Sequence, residues 1–255
     1  MKTIKNIKKV LLVLLAQCLI VSVYAQDATI KEAEAAYTKE DYNKAIELYE
    51  GILKTYGESA EIYYNLGNAY YKAGMVGPSI LNYERALLID PGDADIRFNL
   101  QLAKEKSVDK IEPLGEFFLS NWFNKIQNMG GADSWGKLGI ICFILLIGCI
   151  ILFFFSRWLR VKKLGFYVGL LLLIIVIFSN IFARNQKKEL VNRVQAIIFA
   201  PTVTVKSSPD ASGTDLFVLH EGTKVTIKNT LGDWKEIELE DGNIGWMPTK
   251  DIEII

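Results

Sequence analysis

A single histidine, His220, and three cysteines serve 255 residues, and these scarcities exclude much chemistry. One histidine cannot build a His-rich metal cluster, and the cysteines do not replace it, because Cys18, Cys142 and Cys149 all lie in long apolar runs. Their placement also rules out a disulfide framework in the polar parts of the chain. Cys142 and Cys149, seven residues apart, read as small apolar packing residues of one helix. A Ser–His–Asp arrangement would have to use His220, which stands in an apparent strand just before a turn and reads as an edge residue. No glycine-rich loop stands between a strand and a helix, since Gly130-Gly131 lacks that strand-to-helix context, so no phosphate cradle is expected. Basic surplus is missing too. With 29 Lys and Arg against 29 Asp and Glu the net charge is zero, which argues against nucleic acid as a partner. No catalytic, cofactor-binding or metal-binding residue is expected, and the chain reads as a non-enzyme.

Apolar sequence is abundant. Residues 138–156 and 164–183 are each close to the roughly 20 apolar residues that cross a hydrocarbon core. Both are apolar all round, whereas a soluble helix of that length would show a polar face. Residues 157–163 between them hold Arg157, Arg160, Lys162 and Lys163, and short basic loops stay in the cytoplasm. A transmembrane hairpin follows, with residues 26–110 and 184–255 both outside the cytoplasm, on the periplasmic side of a bacterial inner membrane. Residues 1–25 support this. Lys2, Lys5, Lys8 and Lys9 precede an apolar run that ends Val23-Tyr24-Ala25, as in a signal peptide cleaved after Ala25. Cys18 follows Gln17 rather than a small residue, which argues against lipidation. Gly165 and Gly169 open the second span with a spacing that lets another helix come close, either the first span or a second copy.

Residues 60–93 read AEIYYNLGNAYYKAGMVGPSILNYERALLIDPGD. Tyr63, Leu66, Gly67, Tyr70, Ser79, Tyr83, Ala86 and Pro91 stand in a 34-residue frame that resembles the tetratricopeptide repeat (TPR) family. Gly67 and Ser79 let two helices approach, Tyr70 and Tyr83 fill the space beside them, and Pro91 denies the second helix a donor. One period earlier Tyr42, Ala45, Tyr49 and Ile52 repeat the pattern; one period later ADIRFNLQLAKEK supplies a capping helix. The array is about two and a half repeats, near the minimum for stability.

The TPR resemblance implies a groove lined by the first helix of each repeat and suited to a peptide. The candidate positions are Tyr37, Glu61, Tyr64, Asn68, Tyr71, Lys72, Asp95, Phe98 and Asn99, with Glu34 and Leu102 beside them. Aromatic rings offer contact area with few rotors to freeze, and amides hold a backbone without reading its sequence. The basic residues of a carboxylate clamp are absent at the matching places. Tyr64 and Asn68 are expected at the surface, where substitution would leave stability nearly unchanged. The alternative is that the tyrosines pack within the short array.

Residues 111–137 form a connector. A helical wheel puts Phe118, Leu119, Trp122, Phe123, Ile126 and Met129 on one side and Glu116, Asn121, Asn124, Gln127 and Asn128 on the other. Such a helix either lies in a membrane interface or packs onto the open end of the array. From Val191 the pattern changes to short β-runs with turns. Val203, Val205, Ser208, Pro209, the stretch Glu221-Gly222-Thr223-Lys224-Val225, Trp234, Glu236, Asp241-Gly242 and Gly245-Trp246 resemble a bacterial SH3-like domain, with Lys206 and Ser207 where that family often has Arg and Gly. This part is expected to fold alone, with Trp234 and Trp246 in its core or ligand groove.

The fold class expected is thus multidomain: an all-α TPR solenoid, a two-helix transmembrane hairpin and an all-β SH3-like barrel. In that order, and with the connector KSVDKIEPLGEFFLSNW, the chain resembles the BatE-type family of aerotolerance (Bat) operons. The resemblance implies a non-enzymatic membrane scaffold working with other Bat membrane proteins, several with von Willebrand-type domains, and a MoxR-type ATPase, in oxidative-stress tolerance. The alternative function is binding or sensing of cell-wall peptidoglycan through the SH3-like domain.

Overall fold

The computed structural model describes residues 27–115 and 117–255; the export signal read over 1–25 and Glu116 lie outside them. The repeat region consists of α1 over residues 27–38, α2 Tyr42–Tyr56, α3 Ala60–Lys72, α4 Val76–Ile89 and α5 Ala94–Lys106. Asp41 caps α2 by accepting from the Lys44 N–H at 3.2 Å, and Asp93 caps α5 by accepting from the N–H groups of Asp95 and Ile96. Pro78 sits in the first turn of α4, where no intrahelical donor is missed. The approach of α3 and α4 depends on Gly67: a Cβ there would lie 2.7 Å from the Tyr83 ring. Buried Ser79 closes the same contact, its Oγ donating to the Gly67 carbonyl at 2.9 Å.

The connector contains α6, Phe118–Gln127, and two long apolar helices follow: α7, Ala132–Phe155, and α8, Leu159–Asn192. Both are long and apolar enough to cross a membrane. At 1.5 Å per residue α8 is about 51 Å long, well beyond a hydrocarbon core of about 30 Å. The two pack along their lengths with Gly165 and Gly169 against Cys149, so within this chain the glycine pair serves α7. Two boundaries differ from the sequence reading. The basic stretch read as a loop over 157–163 is mostly the first turns of α8, because nothing between Leu159 and Gly165 breaks a helix. At the other end, the outer segment bounded at 184 opens on helix, since α8 runs through Asn192, and the β-runs read from Val191 begin at Gln195. The helix stops at Arg193, whose left-handed backbone (φ 41°) turns the chain and whose guanidinium pairs with Glu58 of the repeat region.

The C-terminal part is an antiparallel sheet of β1 Gln195–Ile198, β2 Thr202–Lys206, β3 Asp215–His220, β4 Lys224–Leu231, β5 Trp234–Glu238, β6 Ile244–Pro248 and β7 Ile252–Ile254. The strand order is β3-β2-β6-β5-β4-β1-β7, with irregularities at Val205/Lys206 and Ile227/Asn229. Gly242 makes the expected Asp-Gly turn between β5 and β6 at φ 85°. The sheet's core is Val203, Val205, Val225, Ile237 and Met247. Trp234 and Trp246 are only half-buried: on their strands the inward positions belong to Ile237, Gly245 and Met247, and a period of two turns the tryptophans outward.

The sheet is not a separate body. Ile197 and Ile255 are buried in one apolar cluster with Tyr63, Ile80, Tyr83 and Ile96 of the repeats. Polar contacts frame this seam. Glu84 of α4, 7% exposed, lies 2.8 Å from Lys224 of β4 and 2.7 Å from Lys104 of α5. Lys224 makes a well-directed hydrogen bond, whereas the Lys104 contact falls outside good hydrogen-bond geometry and is chiefly electrostatic. Asp109 accepts from the His220 N–H at 2.7 Å and the Thr223 hydroxyl at 2.6 Å, and it faces His220 Nδ1 at 2.8 Å. Arg85 donates to the Ile254 carbonyl at 2.6 Å. These shared contacts bear directly on the expectation that residues 191–255 fold alone: excision would bare two buried isoleucines.

Candidate functional site: the first-helix face of the repeats

Helices α1, α3 and α5 supply the candidate positions, and the structure joins the central ones into a network. Asn99 Nδ2 of α5 donates to the Tyr64 hydroxyl at 3.0 Å and to Asn68 Oδ1 at 2.9 Å, both on α3. Asn68 Oδ1 also accepts from the Tyr83 hydroxyl at 2.7 Å. Tyr83 is 1% exposed, and Tyr64 lies tilted beside its ring at 6.1 Å. Burial raises the Tyr83 pKa, with Tyr64, Tyr37 and Tyr71 near enough to raise it further. The Tyr83 phenol therefore stays neutral at ordinary pH.

The outer candidates form two flanks. Tyr37 meets Tyr42 edge-on at 5.5 Å, and its pKa is raised by burial first and then by Tyr42 and Tyr64. Buried Tyr49, pushed up to about 12 chiefly by burial, also feels the carboxylates of Glu34 and Glu61, so this flank is acidic. On the other flank Tyr71 lies under Lys106, its Nζ 3.8 Å from the ring centroid. Lys106 was missed by sequence reasoning. Its spacing gives the signal: on α5 it follows Phe98, Asn99 and Leu102 at helical intervals on the same side. Glu61, Lys72 and Asp95 are exposed. Phe98, 62% exposed, is an apolar ring offered to solvent.

Tyr64 and Asn68 depart from their expected surface role. Both are half-buried and hold internal hydrogen bonds, so the packing alternative describes part of this face. The network nonetheless leaves two groups without a partner among the described residues, Asn68 Nδ2 and Asn99 Oδ1. One donates and one accepts, each held by an amide whose other end is fixed. That pair matches the acceptor and donor of an extended peptide backbone.

The family comparisons agree with the frame read from the sequence. Residues 60–93 match the tetratricopeptide repeat family. Among solved structures the chain is similar to the Sgt2 TPR domain from Aspergillus fumigatus, at 15% identity over 65% of this chain and 80% of that one, with a TM-score of 0.31. Comparison with curated proteins gives no match. Tetratricopeptide folds are typically non-enzymatic modules for protein–protein interaction, and the repeat region here is a helical solenoid of that kind.

Proposed function

We propose that this protein is a non-enzymatic membrane adaptor that holds an extended segment of a protein partner on the face of α1, α3 and α5. The observation that carries this is the fixed pair Asn68 Nδ2 and Asn99 Oδ1, on the same two helices, α3 and α5, as the exposed ring of Phe98 and the Tyr71–Lys106 stack. Helices α7 and α8 anchor the repeats and an SH3-like barrel to the periplasmic side of a bacterial inner membrane, with Arg157, Arg160, Lys162 and Lys163 on the cytoplasmic side. The partners are other membrane proteins of a Bat-type complex linked to oxidative-stress tolerance, including those with von Willebrand-type domains. The peptidoglycan alternative draws less support. Lys206 and Ser207, which replace the SH3-like motif's usual residues, are engaged in the β2–β3 hairpin: Lys206 pairs with Asp215 at 2.7 Å and Ser207 exchanges bonds with Thr214.

Phe98→Ala tests the site in the full chain purified from native membranes. An interface aromatic is worth about 2 kcal/mol, so partner recovery is expected to fall well over tenfold at an unchanged melting temperature. Equal recovery of every partner would overturn the groove assignment. For topology, Ile30→Cys, Arg160→Cys and Asp215→Cys are labelled in intact cells with an impermeant reagent; modification at 160 would overturn the proposed orientation.

A further inference from the structure

Helix α6 carries an apolar face that nothing among the described residues covers. Phe118 is 77% exposed, Leu119 and Trp122 are each 59% exposed, and Phe117 and Met129 at its ends exceed 70%. Its second side is bolted to the hairpin. Phe123 meets Phe182 of α8 edge-on at 5.0 Å, and Trp135 of α7 lies against the same ring at 4.8 Å. Buried Gln127 accepts from Asn185 Nδ2 through its side chain and, through its carbonyl, from Trp135 Nε1 and Gln186 Nε2. Its third side is polar. Asn121, Asn124 and Lys125 face Arg97 and Glu189 across a cleft of about 420 Å³. A helix that packed onto the array would turn its aromatic face inward; here the polar side faces the array and the aromatic side faces away.

We propose that α6 lies in the headgroup–acyl boundary of the bilayer and that its occupant is lipid. This rests on the membrane reading of α7 and α8 given above. Three observations fix the occupant. First, α6 is held at Phe182–Gln186, where the apolar run of α8 gives way to polar residues, so it sits at the level where the hydrocarbon ends. Second, its exposed rings adjoin a hairpin whose outward surface is itself apolar at that end, with Leu138, Ile140 and Ile141 exposed. Third, exposed Lys125, Lys137, Arg184, Lys187 and Lys188 lie near the same level, a basic ring matched to phosphate headgroups. An amphipathic helix with aromatics on one face and amides and lysine on the other is the form that lies in an interface. The consequence is mechanical. The turn after α6 touches the array directly, where a Cβ at Gly92 would lie 2.6 Å from the Met129 carbonyl oxygen, so lipid contact at α6 fixes the height of the repeats above the membrane.

The test uses the full chain without its native cysteines, in nanodiscs containing anionic phospholipid. Nitroxide labels are placed by Leu119→Cys, Trp122→Cys, Asn124→Cys and, at the middle of α7, Ile144→Cys. Collision with oxygen reports hydrocarbon, and collision with a water-soluble nickel chelate reports water. The oxygen-to-nickel ratio at 119 and 122 is expected to lie several-fold above that at 124 and to approach that at 144. Labels at 119 and 122 as nickel-accessible as 124, with 144 still in hydrocarbon, would overturn the lipid assignment and leave the hairpin reading standing. Labels at 119 and 122 shielded from both reagents would overturn it in favour of a protein covering the face. Nickel access at 144 would overturn the membrane reading itself.

Discussion

Removing the Glu84 carboxylate should open the seam between repeats and sheet. Glu84 holds Lys224 and Lys104 from inside a site where its own side chain is 8% exposed, while the lysine side chains are 20% and 40% exposed. Burial alone would raise its pKa; the two lysines outweigh that and bring it from the ordinary 4.5 to about 2. Breaking a buried ion pair from one side costs about 3–5 kcal/mol, because the partner charge is stranded. Lys104 can turn to water, which places Glu84→Ala near the low end, about 3 kcal/mol. For a body of this size that is a fall in melting temperature of roughly 6–12 °C. The pH dependence gives an independent measure of the same quantity. The folded pKa is depressed, so the stabilisation is fully present above pH 4.5 and is lost as pH falls towards 2. Purified protein in nanodiscs, melted at pH 7 and through this acid range, is the assay, with Glu84→Gln expected to lose the acid-sensitive component. A double-mutant cycle with Lys224→Ala completes it. A coupling below about 0.5 kcal/mol, or Glu84→Ala melting with the wild type, would refute the reasoning.

Other outcomes follow from single contacts. Gly67→Ala drives a Cβ to 2.7 Å from the Tyr83 ring and should destabilise by about 1–3 kcal/mol in thermal melts, although alanine is the better helix former. Asn68→Ala strips the buried Tyr83 hydroxyl of its acceptor and should cost about 1–3 kcal/mol, so it will lower stability where Phe98→Ala does not. Residues 191–255 expressed alone should show no cooperative melt, since Ile197 and Ile255 lose their cover; a sharp transition in that fragment would contradict the shared core.

The repeat frame was legible because it is written in short-range spacing. Gly67, Ser79 and Tyr83 sit at positions where one contact between two adjacent helices demands a small residue, a hydroxyl and a ring, and the structure uses each that way. The two apolar helices and the Asp241-Gly242 turn were legible for the same reason: length, composition and one dihedral decide them locally. Helix ends were less so. The basic run after Arg157 looks like a loop by charge, yet charge does not break a helix, and the next glycine stands at 165. The seam could not be read at all. Glu84 looks like one more solvated glutamate of a repeat helix, and its two lysines lie 20 and 140 residues further along. Ile197 and Ile255 alternate like any strand residues, and periodicity does not say whether an apolar face meets another strand or a helix of another domain.

The groove was half legible for a related reason. Position within the repeat marks Tyr64, Asn68 and Asn99 as neighbours, but only the arrangement of α3 against α5 decides which ends of those amides are already engaged. That distinction determines what a ligand can use. An amide with both ends free would have to be ordered when a peptide binds, at an entropic cost; an amide pinned through Oδ1, as Asn68 is by Tyr83 and Asn99, presents its remaining N–H in one direction before any ligand arrives. The same bonds that make Asn68 unsuitable as an innocent surface probe make it suited to holding a peptide backbone. Stability and the proposed recognition are therefore coupled at this residue and separable at Phe98, whose ring is 62% exposed.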